Sequence, residues 1–261
     1  TYDIFGNINR THHKGDVNNA DDDKYEYFEY LNNSNKWIVN KIKNYTLTNT
    51  TNNRIRNTRY IYDNQNFGQA PINGSLTAKQ DWLDNGNAPT TNYTYNSFGN
   101  IINETDANGH RTDYFYGIRD TNNTFVDRIM NNKCQITDYN YEPGIGKLLW
   151  QIDSNGMGTN YSYDVFGRII KEVKIYDNQN FPTKNYSYEY DGVAPEEVKI
   201  SYRETNNTTN TYDEYSFYDG FGNIIQTKKE AENSQQIVSN TFYNELFEIK
   251  NQSNPYFVSF S

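Results

Sequence analysis

Two adjacent histidines, His12 and His13, precede the acidic run 21–23 near the start of this sequence. Imidazole nitrogens and carboxylate oxygens are common metal ligands, so this combination could hold a metal ion. Metal sites usually take their ligands from regular elements at set spacing, whereas these residues lie in a stretch of Gly, Asn and Asp. We therefore interpret the segment as a polar hairpin loop and predict no metal site.

A second possible chemistry is calcium binding at the segments 106–109 and 153–156, which share the pattern Asp-x-Asn-Gly. Calcium loops begin in a similar way, but they need further ligands and a downstream bidentate Glu that these segments lack. An Asn-Gly pair between alternating residues is typical of a tight β-hairpin turn. The turn interpretation explains every residue of both segments.

No arrangement of residues in the chain favours catalysis. There is no phosphate-binding glycine loop and no Ser/His/Asp or Cys/His grouping. The lone Cys134 has no His or other base near it in the sequence, and we interpret it as a small buried side chain. We predict that the chain is not an enzyme, with no catalytic residue and no cofactor.

The elements around these residues are organised by one repeated phrase, Tyr-Asp/Asn-x-Phe-Gly-Asn/Arg-Ile. A fifth, altered copy spans 243–249 and has Phe247 in place of the glycine. A recurring phrase of this length indicates a protein built by repeating one supersecondary unit. The four full copies are Tyr2–Ile8, Tyr95–Ile101, Tyr163–Ile169 and Tyr218–Ile224.

Each phrase reads as a strand, a turn and a returning strand. Tyr161 and Tyr163 alternate with polar residues, which is the period-two pattern of a half-buried strand. Asp164 can accept hydrogen bonds from backbone amides of the turn, and Gly167 can adopt the positive φ that closes it. The repeat positions are Tyr2, Gly6, Tyr95, Gly99, Tyr163, Asp164, Gly167, Tyr218, Asp219 and Gly222. We predict left-handed turn positions at Gly99, Gly167 and Gly222, and an all-β fold of antiparallel hairpins.

The alternation in the third copy also predicts which side chains share a face. One set is expected on the buried face and comprises Tyr161, Tyr163, Ile169 and Val173. The other set is expected on the opposite face and comprises Asn160, Ser162 and Glu172.

A second repeat, Ile-Tyr-Asp-Asn-Gln-Asn-Phe, occurs at 61–67 and again at 175–181. This indicates that the duplication extends beyond the glycine phrase.

The amino-acid composition disfavours disorder, nucleic-acid binding and a membrane span. Aromatic residues make up 16% of the 261 residues, with 25 tyrosines, although the mean hydropathy is −1.01. Aromatic richness and strand periodicity argue against disorder. A net charge of −9 disfavours nucleic-acid binding, which needs a basic surface. No run approaches the roughly 18 apolar residues needed to cross a membrane.

The phrase resembles the YD repeats of the Rhs family, most specifically at 153–168, where Asp-x-Asn-Gly is followed by Thr-x-Tyr-x-Tyr-Asp-x-Phe-Gly-Arg. The resemblance covers nearly the whole chain loosely and looks closest to the Tc toxin B-component/SpvB-like group. Departures occur at Asn96, Gly117 and Phe247, and they put those turns in doubt.

The resemblance implies that the repeats wind as one β-ribbon into part of a curved, hollow shell. Such shells enclose a toxic C-terminal effector segment in Rhs toxins and in Tc toxins. The self-cleaving aspartyl protease site of those toxins matches no stretch of this chain, so no catalytic residue is carried over.

We accordingly expect residues 1–261 to be a single YD-repeat region of a longer chain, with a structural, encapsulating function. The expected partners are the rest of its own shell and an enclosed effector. The expected location is secreted or at the cell surface. A wall-associated adhesion or carbohydrate-binding module is the alternative, because exposed tyrosines could stack on a surface glycan.

A ribbon cut from a shell leaves its first and last strands with unpaired backbone groups. We therefore expect fraying or edge-to-edge association at 1–8 and 243–261.

Overall fold

The computed structural model describes residues 1–206 and 208–259, with the backbone alone at Ala20. Its internal contacts divide the chain into two compact units, residues 1–136 and the residues from 137 onward. The prediction of a single repeat region over the whole chain stays a prediction. Each unit is described by itself below.

The first unit is an antiparallel sheet in which each strand pairs with its neighbour in sequence. Two short 3-10 turns, Ala20–Asp22 and Ser34–Lys36, lie in its connections. Its strands are β1 (Arg10–His13), β2 (Lys24–Asn33), β3 (Ile38–Asn49), β4 (Arg54–Tyr62), β5 (Leu76–Asp81), β6 (Thr90–Tyr95), β7 (Ile101–Thr105), β8 (Arg111–Phe115) and β9 (Arg128–Met130).

The second unit repeats this arrangement, again with antiparallel neighbours. Its final two strands both pair with β18, at opposite ends of that strand. The strands are β10 (Ile136–Glu142), β11 (Lys147–Ile152), β12 (Gly158–Tyr163), β13 (Ile169–Lys174), β14 (Lys184–Glu189), β15 (Glu196–Arg203), β16 (Thr211–Tyr218), β17 (Ile224–Ala231), β18 (Gln235–Tyr243), β19 (Ile249–Gln252) and β20 (Tyr256–Ser259). The predicted all-β, antiparallel fold is confirmed.

Neither unit has a large apolar core among its described residues. Leu31 and Tyr62 are buried in the first unit, and Val173 and Val238 in the second. Buried polar side chains are more numerous, and they include Asp127, which is 1% exposed. Most other side chains within the strands are half-buried, as expected for sheets whose tyrosines have an apolar ring and a hydroxyl group in contact with water.

A β-bulge in the hairpin between β12 and β13 changes which side chains share a face. Tyr163 lies opposite Ile169, but Ser162 lies opposite Lys171, so one residue of β13 is left without a partner. An extra residue of this kind reverses the alternation of the strand beyond it.

The predicted face is therefore wrong for Val173 and Glu172. Glu172 lies opposite Tyr161, whereas Val173 lies opposite Asn160. Both are nonetheless buried, at 8% and 5% exposed respectively. The Glu172 charge is compensated because the Lys184 ammonium lies 3.0 Å from its carboxylate. The bulge, which the alternation did not reveal, is the reason for the error.

The two copies of the sequence Ile-Tyr-Asp-Asn-Gln-Asn-Phe occupy different places. Tyr62 of the first copy ends strand β4 and is 7% exposed. Tyr176 of the second copy follows β13, is 69% exposed and has a φ of 77°. The sequence duplication is therefore not a structural one.

Both ends of the described chain expose large apolar side chains. Ile4 is 93% exposed near the start, and Ile249 and Phe257 are 63% and 64% exposed near the end. The expected fraying or association of these ends stays a prediction, and residues 260 and 261 lie outside the described residues. No helix in the described part of the chain is both long and apolar enough to span a bilayer.

Candidate functional site: the repeated tyrosine–aspartate turn

The repeated phrase closes its turn with the same two backbone hydrogen bonds in every copy. In the third copy the Asp164 amide donates to the Arg168 carbonyl at 2.9 Å, and the Gly167 amide donates to the Asp164 carbonyl at 3.0 Å. The equivalent bonds in the other four copies are between 2.8 and 3.2 Å long. The turn is thus one structure used five times.

The Asp or Asn of the phrase holds the turn through its side chain. Asp164 Oδ1 accepts hydrogen bonds from the amides of Phe166 and Arg168, both at 2.9 Å. Such bonds satisfy amides that the turn would otherwise leave unpaired. An Asn oxygen accepts in the same way, so the departure at Asn96 leaves its turn intact. The equivalent acceptors are Asp3, Asn96, Asp219 and Asn244.

These hydrogen bonds also favour the charged form of the carboxyl groups. The side chain of Asn7 donates to Asp3, and that of Asn223 donates to Asp219. Together with the backbone amides, they hold the pKa of both carboxyl groups below its usual range. The turns therefore keep an ionised acceptor at neutral pH.

The fourth residue of the turn has the predicted left-handed conformation. The φ values are 85° at Gly99, 75° at Gly167 and 86° at Gly222, so this prediction is confirmed. Phe247 adopts the same conformation with a φ of 61°, which strains a residue that has a Cβ. The altered fifth copy therefore keeps the turn despite losing its glycine.

The predicted Asp-x-Asn-Gly turns at the other end of the strands have the same construction. Asp153 Oδ1 accepts from the amides of Asn155 and Met157, at 2.9 and 2.8 Å. Asp106 does the same in its own turn. These carboxylate oxygens are used by the turn itself, as the turn interpretation requires.

Cys134 lies in another turn of this type and corrects the sequence interpretation. It is exposed rather than buried, and it has a φ of 57°. Asn131 provides the side-chain acceptor of this turn, bonding the amides of Lys133 and Gln135. Cys134 is exposed because it lies in the connection between β9 and β10, outside the sheet.

His12 and His13 lie in strand β1, so the predicted polar loop is wrong for these two residues, and they pair with two different carboxylates. His12 Nε2 lies 2.7 Å from Asp23 Oδ2, and His13 Nε2 lies 2.8 Å from Glu26 Oε2. Among the described residues, no group of three or more His, Cys, Asp or Glu side chains is placed to hold a metal ion.

The tyrosine that opens each phrase lies opposite the isoleucine that ends it. This pairing occurs in all five copies, and a bulge follows it in the four copies that begin at Tyr95, Tyr163, Tyr218 and Tyr243. Three other hairpins have the same bulge without the phrase, and their pairs are Tyr30 with Ile42, Tyr62 with Leu76 and Tyr141 with Leu148.

Six of the tyrosine hydroxyl groups bind the preceding hairpin at this pair. Tyr163, for example, donates to the carbonyl of Leu148 at 2.7 Å. The carbonyl that accepts the bond belongs to the Ile or Leu that pairs with the tyrosine of the preceding hairpin. Where the preceding hairpin has a bulge, this residue lies beside it. The bonds, which are 2.6 to 3.0 Å long, join Tyr30 to Ile8, Tyr62 to Ile42, Tyr95 to Leu76, Tyr163 to Leu148, Tyr188 to Ile169 and Tyr243 to Ile224.

We call these contacts the tyrosine ties. A bulge disrupts the regular backbone ladder, and the phenol supplies a donor to a carbonyl at that point. Burial raises the pKa of Tyr62 to about 12 and also raises that of Tyr163 and Tyr188. The hydroxyl groups therefore stay protonated and able to donate.

Two places in the described structure lack a tie, and a bulge alone does not explain both, since Tyr30 binds Ile8 of a hairpin without one. Tyr218 belongs to the phrase, but its hydroxyl makes no tie among the described residues, and the preceding hairpin between β14 and β15 has no bulge. The hairpin that ends at Ile101 does have a bulge but receives no tie in the described structure. The next strand there leads into Tyr116-Gly117, where the phrase departs from its pattern.

The ends of the strands that carry the phrase turns form an apolar rim in each unit. Because antiparallel strands alternate in direction, every second connection lies at this rim. Each of its five connections in either unit exposes a large apolar side chain. In the first unit these include Ile4, Trp37, Ile72, Phe98 and Ile118, and in the second Ile145, Phe166, Val193, Phe221 and Leu246.

The opposite rim is more polar. Val17, Leu83, Met157, Ile175 and Tyr176 are the exposed large apolar side chains of its connections among the described residues. The turns 50–53, 106–110 and 131–135 of the first unit have none, and neither do the described parts of 204–210 and 232–234 in the second.

A shallow depression of about 680 Å³ lies on the second unit, across strands β16 to β18. Its aromatic lining includes Phe217 and Phe242, and its polar lining includes Gln226 and Asn240. The Gln226 amide donates to Asn240 Oδ1 at 2.7 Å, and the Asn240 amide donates to the Tyr256 hydroxyl at 2.9 Å.

This chain is similar to known proteins in its structure and not in its sequence. No protein-family model matches the chain, and no curated protein sequence matches it. A crystal structure of TcdB2-TccC3 matches 98% of this chain with a TM-score of 0.70, at 10% sequence identity. The fold is similar to that of a segment of the TcdB2-TccC3 chain.

A second match gives the same result. The Tc holotoxin pore of Photorhabdus luminescens, determined with a substitution in TccC3, matches 90% of this chain with a TM-score of 0.56 and 14% identity. The chain spans 20% of the length of the first matching chain and 14% of the second.

Proposed function

We propose that this chain is a stretch of the wall of an Rhs/YD-repeat toxin shell, and that its role is structural rather than catalytic. The shell encloses a C-terminal effector segment and is secreted or delivered at the cell surface. The observation that supports this most strongly is the match of 98% of the chain to one fifth of a TcdB2-TccC3 chain.

The tyrosine–aspartate turns support the same role. A wall must hold its shape over many strands without a thick core, and each unit here buries few apolar side chains. Each turn is closed by its own Asp or Asn, and a tyrosine tie fastens many hairpins to the one before. Repeated local bonds of this kind replace the core that a compact domain would use.

Protease protection tests the proposal directly. The full-length protein is digested, and the survival of the segment that follows the repeats is compared with that of the same segment expressed alone. We expect the enclosed segment to survive until denaturant opens the shell, since a closed wall excludes the protease. Digestion of both at the same rate would contradict encapsulation.

A glycan-binding role is the second candidate, supported by the depression that places Phe217 and Phe242 beside two amide side chains. Saturable binding of the full-length protein to immobilised polysaccharides, lost in F242A, would favour it.

A further inference from the structure

The apolar rim of each unit exposes side chains that its turns do not need. Ile4 and Val165 are 93% and 92% exposed, and Phe221 is 78% exposed. The turn that contains Val165 is closed by bonds between its backbone and Asp164, and the Val165 side chain takes no part in them. Contiguous exposed apolar side chains mark interaction surfaces.

The apolar side chains of neighbouring connections lie against each other. In the second unit Phe221 and Phe247, from successive phrase turns, have ring centres 4.8 Å apart. In the first unit Phe5 meets Trp37 of the next connection edge-on, with ring centres 6.5 Å apart. Strands of a sheet lie about 4.8 Å apart, so successive connections at one rim are about 10 Å apart. The rim is therefore a row of apolar side chains with a regular spacing.

Exposure at the end of a hairpin does not by itself explain this row, because the opposite rim exposes such side chains at only some of its connections. Val17 is 95% exposed there, but it lies in a connection of Lys, Gly, Asn, Ala and Asp. The turns 106–110 and 131–135 expose no large apolar side chain in the described structure. The continuous row is thus a property of the rim that carries the phrase turns.

Ionised carboxyl groups along the same rim bear on the kind of partner. Asp3 and Asp219 lie in phrase turns, and hydrogen bonds from Asn7 and Asn223 hold the pKa of both below its usual range. A lipid surface would take these charges out of water together with the apolar side chains, which is costly. A second protein rim leaves them in solvent, since two rows of side chains touch only where they interdigitate.

We propose that the apolar rim is a docking surface for a neighbouring stretch of the repeat ribbon, with the apolar side chains of the two stretches packed between each other. This inference rests on the proposed function, in which the chain is part of a longer wall. Docking buries apolar area that the rim of neither unit buries on its own, and such burial is the main source of association free energy.

The spacing of the row is the reason for choosing the ribbon itself as the partner. A partner that covers the whole rim needs a matching period of about 10 Å, which a sheet of hairpins has by construction. Each unit carries such a rim, so the repeat regenerates it wherever the ribbon continues. The chain spans 20% of the TcdB2-TccC3 chain that it matches, and a wall of that length would include further rims of this kind.

Thiol labelling of the full-length protein tests the docking surface. V165C and V17C form a matched pair, because both valines are almost fully exposed in this structure and lie at opposite rims. We expect a maleimide to modify V165C about tenfold more slowly than V17C in the folded protein, since covered sites react only on local opening. Both should react at the same rate in denaturant. The native Cys134, exposed at the opposite rim, is a reference thiol within the same molecule, and L246C is a second probe of the apolar rim.

Three outcomes would overturn the proposal. The first is equal modification rates of V165C, L246C and V17C in the folded protein. The second is protection that disappears on dilution, which would assign the rim to a second copy of the protein. The third is protection that appears only with phosphatidylcholine vesicles, which would assign the rim to a lipid surface.

The labelling result is independent of the enclosed segment. If the protease digests that segment in the intact protein while V165C stays protected, encapsulation is rejected and the rim contact remains. If the segment survives while V165C reacts as fast as V17C, the wall encloses its effector but is not joined along this rim.

Discussion

The same seven residues, Ile-Tyr-Asp-Asn-Gln-Asn-Phe, fold in two ways within one chain. In the first copy Tyr62 is buried and donates to the Ile42 carbonyl at 2.8 Å. In the second copy the equivalent Tyr176 is 69% exposed and lies beyond the end of β13. Identical local sequence therefore gives a tyrosine tie in one place and an exposed side chain in the other.

The aspartates of the two copies differ in the same way. Asp63 accepts four backbone amides of the segment 72–75, at 2.7 to 3.0 Å. Asp177 instead accepts from the Thr183 hydroxyl at 2.6 Å and lies 3.4 Å from Arg203 Nε. The neighbouring hairpin, rather than the heptapeptide, therefore determines the role of each side chain.

The largest expected effect comes from making one substitution in both copies. Y62A removes a buried ring and its tie, and we expect it to cost about 3 kcal/mol of local opening free energy. Y176A removes an exposed ring and should change the opening free energy by less than about 0.5 kcal/mol. Amide exchange of β3 to β5 and of β13 to β14 measures both. Equal losses in the two variants would show that the heptapeptide itself, and not its context, sets the energy.

A second comparison is between two different residues, Gly167 and Cys134, that occupy the same left-handed position of the turn. G167V places a branched side chain in a left-handed conformation and should cost about 2 kcal/mol through backbone strain. C134G relieves such strain, partly offset by the greater freedom of glycine in the unfolded chain, so we expect a gain of about 0.5 kcal/mol. Hydrogen exchange of the turn amides measures whether G167V lowers and C134G raises the local opening free energy. A loss of protection in C134G would contradict the strain argument.

The smallest expected effect comes from removing the hydroxyl group of two tyrosines, one of which makes a tie and one of which does not. Y188F removes the hydroxyl that donates to the Ile169 carbonyl, and it should cost about 1 kcal/mol. Y218F removes a hydroxyl that makes no tie, and it should be close to neutral. Opening free energies of β13 and β15 from amide exchange measure the difference. If Y218F proves as costly as Y188F, the hydrogen bond of the tie is not what makes the Tyr188 hydroxyl stabilising.

The turns could be predicted from the sequence because all their bonds are local. Asp164 and Gly167 lie within the five residues that form the turn, so their types alone indicate its conformation. Phe247 and Cys134 could not be predicted in this way. They adopt a conformation that their own side chains disfavour, because the flanking strand pairs and the Asn acceptor impose it.

The faces of the strands and the tyrosine ties were harder to predict, for a physical reason. A bulge changes the alternation by one residue, and the alternation of apolar and polar residues in 159–173 does not mark where it occurs. The acceptor of a tie lies 15 to 22 residues earlier in the chain. The one available signal was a tyrosine at the end of a strand, and Tyr218 shows that this signal alone does not suffice.

The direction of the ties has a consequence for how the chain assembles. In all six, the donor tyrosine lies C-terminal to the carbonyl that it binds. Each hairpin can therefore dock on its predecessor as soon as it leaves the ribosome, without waiting for residues that are not yet synthesised. A protein fastened in this direction is suited to vectorial folding during translation, in which every completed hairpin becomes the template for the next.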